Sequence, residues 1–189
     1  WTGLTDISLS EKGRQEAKRA GASLKNTKID IAFTSDLKRA KETLDEIKKV
    51  LKINSLPTIE NKALNERDYG ILTGKNKWQI GKEVGEDMFQ NIRRGWNTPI
   101  KNGETLRDVY DRVVPYYQKE ILPKLKSGKN VLIVAHGNSL RALVKYLENI
   151  SDKEVEHLEI ATGEIYIYEI GSNGNITSKE TRMSSSVML

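Results

Sequence analysis

The chain has 189 residues, of which 37% are hydrophobic and 30% are charged, a balance typical of one globular domain and not of a disordered chain. It contains no cysteine, which excludes disulfides, thiolate metal sites and a cysteine nucleophile. The net charge of +5 favours anionic partners without choosing among nucleic acid, acidic lipid and phosphorylated metabolites.

Two classes of partner are disfavoured by the sequence. Only 6% of the residues are aromatic, and no stretch interleaves aromatic with basic side chains as a platform for single-stranded nucleic acid does. No apolar run approaches the roughly 18 residues of a membrane span, and no charged-then-apolar leader opens the chain. We therefore expect a cytoplasmic protein that binds neither nucleic acid nor membrane.

The first quarter of the chain predicts a helix, a strand and a second helix. Small and apolar residues recur at helical spacing over residues 15–24, behind Ser10, which can cap the first turn. Residues 29–33 form a short apolar run typical of a strand. Residues 37–51 then repeat apolar positions at three and four, as an amphipathic helix does.

The middle of the chain is irregular, because glycines interrupt any long period over residues 54–103. We expect loops and short helices there. A helix start follows, in which Thr105 caps the first turn and Asp108 answers it. Pro115 is expected to kink or break that helix.

The last third predicts a buried strand followed by further helices and one more strand. Residues 131–135 are continuously apolar, as in a strand covered on both faces, and a helix follows directly. Residues 151–154 suit a capping box. Residues 163–170 alternate isoleucine with tyrosine as a strand does, and the strand signal fades near Ile176.

Repeated strand-then-helix units predict a mostly parallel sheet covered by helices on both faces, a three-layer α/β/α domain spanning residues 1–189. In such sheets, ligands bind beyond the carboxyl ends of the strands. The turns at Thr34-Ser35 and at His136-Gly137 both fall at that edge.

Two basic side chains are candidates for a site at this edge. His136 ends a buried strand beside a glycine, where backbone N–H groups of the next helix point at anions. Arg39 lies in the first turn of the other helix, and its guanidinium matches phosphate oxygens two at a time. Taken singly, His136 is also compatible with a structural histidine and Arg39 with a solvated helix arginine.

The glycine-broken region holds a third cluster of polar residues. Glu66 offers a carboxyl group for proton transfer, beside Arg67 and Tyr69 as possible phosphate donors. By pattern alone, this is equally a polar loop. Further cations there are Lys77, Arg93 and Arg94, which are also compatible with a solvated basic surface.

The order and spacing of several segments resemble the cofactor-dependent phosphoglycerate mutases of the histidine phosphatase superfamily. The resemblance covers nearly the whole chain. It is carried by residues 2–3 (TG), 9–13 (LSEKG), 34–40 (TSDLKRA), 64–70 (LNERDYG), 76–77 (NK), 93–94 (RR) and 135–147 (AHGNSLRALVKYL).

The resemblance implies a phosphoglycerate mutase-like fold and interconversion of 3-phosphoglycerate and 2-phosphoglycerate, primed by 2,3-bisphosphoglycerate, without a metal. Glu66 would donate and accept the proton, His136 would stabilise the transferring phosphoryl group, and Arg39 would clamp it. A homodimer is left open. Substrate phosphate and carboxylate would be held by Thr2, Gly3, Arg39, Arg67, Tyr69, Lys77, Arg93, Arg94, Gly137 and Asn138.

Two departures accompany the resemblance. The family's nucleophilic histidine stands in an Arg-His-Gly motif at the end of the first strand, shortly before the Thr2-Gly3 pair, so we expect that this chain lacks that strand and motif. His157 cannot take the role, because it follows the capping box of residues 151–154. The connection over residues 98–104 is also short, so the family's oligomer contacts and substrate gating carry over poorly.

Three alternative functions stay open at this level. One is a phosphatase of the same fold, which would transfer the phosphoryl group of a small metabolite to water. Another is a non-catalytic phosphate-binding protein, if the nucleophilic histidine is truly absent. A nucleic-acid binder ranks last.

Overall fold

The computed structural model describes residues 1–183, and its centre is a sheet of three parallel strands. These are β1 (Ile31–Thr34), β2 (Thr58–Glu60) and β3 (Val131–Val134), in the order β2-β1-β3. Thr34 lies opposite Val134, so β1 and β3 end at the same level. A separate antiparallel hairpin consists of β4 (Glu164–Ile170) and β5 (Ile176–Met183).

Helices make up most of the remaining structure. No helix within residues 1–183 is both long and apolar enough to span a bilayer. The α-helices are α1 (Glu11–Ser23), α2 (Lys38–Leu51), α3 (Lys77–Val84), α4 (Glu86–Arg94), α5 (Leu106–Tyr116), α6 (Leu122–Lys126) and α7 (Gly137–Leu147). Short 3-10 turns cover Lys62–Leu64, Gly70–Leu72 and Glu154–His157.

The predicted caps are confirmed. The Ser10 side chain accepts from the Gly13 backbone N–H at the start of α1. Thr105 and Asp108 exchange hydrogen bonds at the start of α5. These contacts satisfy N–H groups that the first turn of a helix leaves without partners.

The core lies on both faces of the parallel sheet, because successive side chains of a strand point in opposite directions. Ala32 packs with Leu44 of α2 on one face. Phe33 packs with Val109 of α5 and Leu143 of α7 on the other. The predicted covering of the sheet by helices on both faces is therefore confirmed.

Two strands were not predicted. β2 has only three residues within the irregular middle region, and its conformation follows from its pairing with β1. β5 is mostly polar and exposed, so its sequence carries no apolar alternation. It forms because β4 pairs along its whole length. The β4–β5 pair also adds an antiparallel sheet that repeated strand-then-helix units do not predict.

Pro115 does not end its helix. α5 continues to Tyr116 and passes into a π-helical turn, Tyr117–Ile121, before α6. Since proline has no N–H, one hydrogen bond of the α-helical ladder is missing at this point. The predicted disturbance thus takes the form of a change in hydrogen-bond spacing just after Pro115, and the chain stays helical.

Candidate active site

The parallel pairing of β1 with β3 brings two strand-to-helix turns together at the carboxyl edge of the sheet. Ser35 follows β1, His136 follows β3, and Ser35 Oγ lies 2.7 Å from His136 Nε2. The backbone N–H of His136 donates to Ser139 Oγ at 3.1 Å. Ser35 therefore holds the imidazole and Ser139 holds the backbone of His136 at the start of α7, where the helix N–H groups favour anions.

His136 is buried, with 7% of its surface exposed, and this determines its charge state. Burial is the largest cause that lowers its pKa from the ordinary value of 6.5 to about 3, with the charges of Arg39 and Arg112 next and Asp36 opposing them. The imidazole is thus neutral near pH 7 in the free protein.

This low pKa predicts acid sensitivity of the fold. Between pH 6.5 and about 3 the unfolded chain binds a proton at residue 136 that the folded chain does not, so stability falls as pH falls through that window. We expect the thermal midpoint of the wild type to drop more between those pH values than that of His136→Gln. Parallel pH curves for the two proteins would contradict the assignment of a buried, neutral imidazole.

The carboxyl group of Glu66 has one oxygen held and one free. Its Oε1 accepts from the Arg67 backbone N–H at 2.7 Å, from the Asn138 backbone N–H at 3.3 Å and from Asn138 Nδ2 at 2.9 Å. Within residues 1–183, no N–H or O–H group donates to Oε2. Oε2 is therefore the oxygen that can exchange a proton with a ligand.

Arg112 of α5 anchors the loop that carries Glu66. Its guanidinium donates to the carbonyl oxygens of Ala63, Asn65 and Glu66 at 2.8 to 3.0 Å. It also forms a two-point contact with the Glu104 carboxylate at 2.8 and 2.9 Å. Such a forked contact limits rotation as well as separation, so the loop is fixed to the helix.

Removing this anchor should loosen the Glu66 loop. We expect Arg112→Met to lower the free energy of unfolding by about 2 kcal/mol, since hydrogen bonds to a charged group are lost. Chemical denaturation measures this loss. Arg107→Met is the control, because Arg107 lies exposed on the same helix. An equal loss in both variants would show that Arg112 has no special anchoring role.

Arg39 faces the same edge and connects it to the start of the chain. Its guanidinium donates to the carbonyl oxygens of Gly3 at 2.8 Å and Thr5 at 2.9 Å. Burial lowers the pKa of Arg39, while the charge of Glu66 raises it. Arg39 in turn lowers the pKa of His136. Arg39, Glu66 and His136 therefore belong to one electrostatic site.

Tyr69 and Asn138 complete the group around Glu66, and Arg67 lies behind it. Asn138 Nδ2 donates to the Tyr69 hydroxyl at 3.0 Å. The Arg67 guanidinium lies 4.4 Å from the centroid of the Tyr69 ring and donates to the Ile92 carbonyl oxygen at 2.6 Å. Because Arg67 is fully buried, it adds positive charge from beneath Tyr69 instead of lining the pocket surface.

Two of the predicted binding residues are glycines that lie against this group. Gly3 has a φ of +51°, and a β-carbon there would lie 3.4 Å from the Tyr69 backbone nitrogen. Gly137 is exposed, and a β-carbon there would lie 3.9 Å from Glu66 Oε2. Gly3 therefore packs closely against the Tyr69 backbone, whereas Gly137 leaves room beside the free carboxyl oxygen of Glu66.

The remaining predicted residues lie further out. Thr2 and Lys77 are exposed, and Lys77 is the first residue of α3. Arg93 stacks over Phe89 at 5.2 Å, and Arg94 forms an ion pair with Glu159. Among the hydrogen bonds of residues 1–183, none links these four residues to Glu66 or His136. The fold thus brings together Arg39, Glu66, Tyr69, His136 and Asn138, with Gly3 and Gly137 beside them.

Some residues of the site were missed from the sequence. The turn at Thr34-Ser35 was predicted at the sheet edge, but Ser35 itself was not predicted as a site residue. Arg112 and Arg141 lie within helices and carry no comparable signal. His157 is exposed at the end of a 3-10 turn. No cluster of three histidine, cysteine or acidic residues suited to a metal occurs in the described part of the chain.

One known family matches almost the whole of this chain. A sequence profile described as Histidine phosphatase superfamily (branch 1) matches residues 1–180. The chain belongs to the histidine phosphatase superfamily. The predicted membership of this superfamily is thereby confirmed.

Curated relatives place this superfamily member more closely. A protein of Chelativorans sp. is 47% identical over 95% of this chain and 88% of its own length. One of Cytophaga hutchinsonii is 46% identical over 94% of this chain and 83% of its own length. Both are named 2,3-bisphosphoglycerate-dependent phosphoglycerate mutase.

Solved structures confirm the fold class. Bacillus stearothermophilus YhfR superimposes with a TM-score of 0.80 at 25% identity, covering 93% of this chain and 85% of that one. A mycobacterial glucosyl-3-phosphoglycerate phosphatase gives a TM-score of 0.78 at 22% identity, covering 96% of this chain and 89% of its own. The second likeness concerns the fold alone.

Proposed function

We propose that the protein interconverts 3-phosphoglycerate and 2-phosphoglycerate as an isomerase of glycolysis and gluconeogenesis. The observation that carries the proposal is that the guanidinium of Arg39 interacts electrostatically both with Glu66, whose Oε2 is free, and with the buried imidazole of His136. The mutase names of relatives at 46–47% identity support this reaction over others of the same superfamily.

The residues present suit phosphoryl transfer, which depends mainly on alignment and on donors aimed at the phosphoryl oxygens. As the phosphoryl group passes from the substrate oxygen to the acceptor histidine, Glu66 Oε2 delivers a proton to that oxygen. In the return step, Glu66 takes the proton from the attacking hydroxyl group. Arg39 and His136 hold the phosphoryl oxygens in both steps.

The priming compound, 2,3-bisphosphoglycerate, supplies a phosphoryl group to the acceptor histidine. This compound is negatively charged, so cationic side chains would stabilise its binding. Arg39 at the pocket and Arg67 beneath Tyr69 are two such side chains. Arg93, Arg94 and Lys77 are proposed to meet the carboxylate and the distal phosphate. Thr2, Gly3, Gly137 and Asn138 would add smaller donors close to the reacting group.

The family resemblance implies that the acceptor would be the histidine of an Arg-His-Gly segment. Gly3 lies against Tyr69, and its carbonyl oxygen accepts a hydrogen bond from Arg39. Each residue of an extended chain spans about 3.5 Å, so a segment that ends shortly before Thr2 would be close enough to reach the pocket. Among residues 1–183, β3 pairs only with β1, and the apolar residues 131–133 are only half-buried. The free edge of β3 would suit the expected first strand.

The test is a coupled assay on the product of the complete coding sequence, with and without 2,3-bisphosphoglycerate. We expect mutase turnover that depends on priming and persists in a metal chelator. Turnover without dependence on priming, or abolished by the chelator, would refute the proposal. Release of inorganic phosphate faster than isomer formation would instead identify a phosphatase.

The coding sequence upstream of Trp1 distinguishes the mutase from the remaining alternative, a non-catalytic phosphate-binding protein. An Arg-His-Gly motif there supports the phosphohistidine route, whereas its absence would leave a phosphate-binding protein without the acceptor. Residence in the cytoplasm and assembly as a homodimer are predictions of the same proposal. Cell fractionation and sedimentation measure these two properties.

A further inference from the structure

We propose that Arg141 is a positioning residue that orients the side-chain amide of Asn138 toward Glu66 and Tyr69. Arg141 lies three residues after Asn138 on the buried face of α7, and only 3% of its surface is exposed. One of its terminal nitrogens, Nη1, donates to Asn138 Oδ1 at 3.1 Å. This role rests on the proposed function, in which Glu66 transfers the proton.

The contact selects one of two amide orientations. A guanidinium has only donors, so it accepts no hydrogen bond from an amide NH₂ and binds only the amide oxygen. With Oδ1 turned to Arg141, Nδ2 donates to Glu66 Oε1 at 2.9 Å and to the Tyr69 hydroxyl at 3.0 Å. The opposite orientation would set Oδ1 against the Glu66 carboxylate and Nδ2 against a cation.

The guanidinium of Arg141 is itself fixed by main-chain oxygens. It donates to the carbonyl oxygens of Leu158 at 2.9 Å, Val155 at 2.7 Å and Arg94 at 3.0 Å. Burial, followed by the charges of Arg94 and Arg67, lowers the pKa of Arg141 to about 10, so it stays charged at neutral pH. A rigid, charged donor is what a persistent amide orientation needs.

These hydrogen bonds are also compatible with an alternative, purely structural role, in which Arg141 only fixes the segment around residues 155–158 to α7. The two roles differ in how Arg141 and Asn138 combine. If Arg141 acts through the amide, its replacement has little further effect once the amide is gone. If it acts on the segment, its effect is independent of the amide.

A double-mutant cycle tests this with Arg141→Met, Asn138→Ala and the double variant, and with Arg107→Met as the control on an exposed arginine. We expect Arg141→Met alone to lower kcat by about 10- to 100-fold through misplacement of the amide and Glu66. In the Asn138→Ala background we expect Arg141→Met to lower kcat by less than about 2-fold. Equal factors in the two backgrounds, or no loss in either, would overturn the proposal.

A second measurement does not depend on turnover. Hydrogen exchange of the Asn138 side-chain NH₂ protons, followed by NMR, should be about tenfold faster in Arg141→Met, because the orienting hydrogen bond is lost. Arg141→Gln serves both experiments if Arg141→Met does not fold, because its amide both donates and accepts and so does not select one orientation of Asn138. Unchanged exchange overturns the positioning role. Missing mutase turnover in the wild type, with exchange accelerated as expected, refutes the proposed function and leaves the positioning role standing.

Discussion

Glu66→Gln should lower mutase turnover by about 10²- to 10⁴-fold, the range of general acid–base catalysis. The amide oxygen can still accept the three hydrogen bonds that Glu66 Oε1 accepts, so the loop and Asn138 should stay in place. The amide nitrogen in the place of Oε2 can neither deliver nor take the proton. Steady-state kinetics in the primed assay measure the loss, which should fall on kcat more than on KM.

Glu83→Gln is the matched control, because Glu83 is exposed on α3 and contacts Gln79. We expect its turnover to equal that of the wild type. Full activity of Glu66→Gln would exclude Glu66 as the proton carrier. The proton would then have to be handled by a different group at the sheet edge.

His136→Ala and Arg39→Ala should each lower turnover by at least about 10²-fold, as loss of a donor to the transition state does. His136 lies at the N-terminus of α7, and Arg39 holds the carbonyl oxygens of residues 3 and 5. Each removes a group that faces the phosphoryl oxygens in the proposed reaction. The primed assay with saturating 3-phosphoglycerate measures both losses.

His157→Ala and Lys38→Ala are the controls, since both side chains are exposed and Lys38 precedes Arg39 on the same helix. Neither is expected to change turnover by more than about 2-fold, as surface substitutions rarely do more. Equal effects at His136 and His157 would count against the site. Circular dichroism of each variant separates a catalytic loss from unfolding.

The arrangement around Glu66 also bears on mutase against phosphatase chemistry. A phosphatase needs a proton carrier and a phosphoryl clamp just as a mutase does, so Glu66, His136 and Arg39 serve either reaction. The difference lies in whether water reaches the phosphorylated acceptor before the second substrate does. For this reason the proposed assay compares isomer formation with phosphate release in one sample.

Much of the fold is determined by local features of the sequence. The apolar run before His136 and the one before Ser35 are short and end at turn residues, which favours strands over helices and makes β1 and β3 predictable. The Thr105–Asp108 cap depends on hydrogen bonds between near neighbours, which makes its position predictable as well. The family resemblance then indicated Glu66, His136 and Arg39 as one site.

Other features depend on partners distant in the chain. β5 is a polar segment that forms a strand because it pairs with the edge of β4. β2 likewise forms because it pairs with β1. An exposed or a buried arginine within a helix has the same sequence pattern, so the roles of Arg112 and Arg141 could not be predicted. The burial of Arg67 beneath Tyr69 has the same cause.

The sequence by itself therefore determined the strand-to-helix turns, the caps of α1 and α5 and the chemical types of side chain at the sheet edge, since these follow from interactions over a few residues. Tertiary structure alone decided which oxygen of Glu66 is free and which way the amide of Asn138 points. The free oxygen of Glu66 depends on the N–H donors of Asn138, more than 70 residues away in the chain. The orientation of the Asn138 amide depends on Arg141 on the buried face of α7. Packing brings these donors within hydrogen-bond distance.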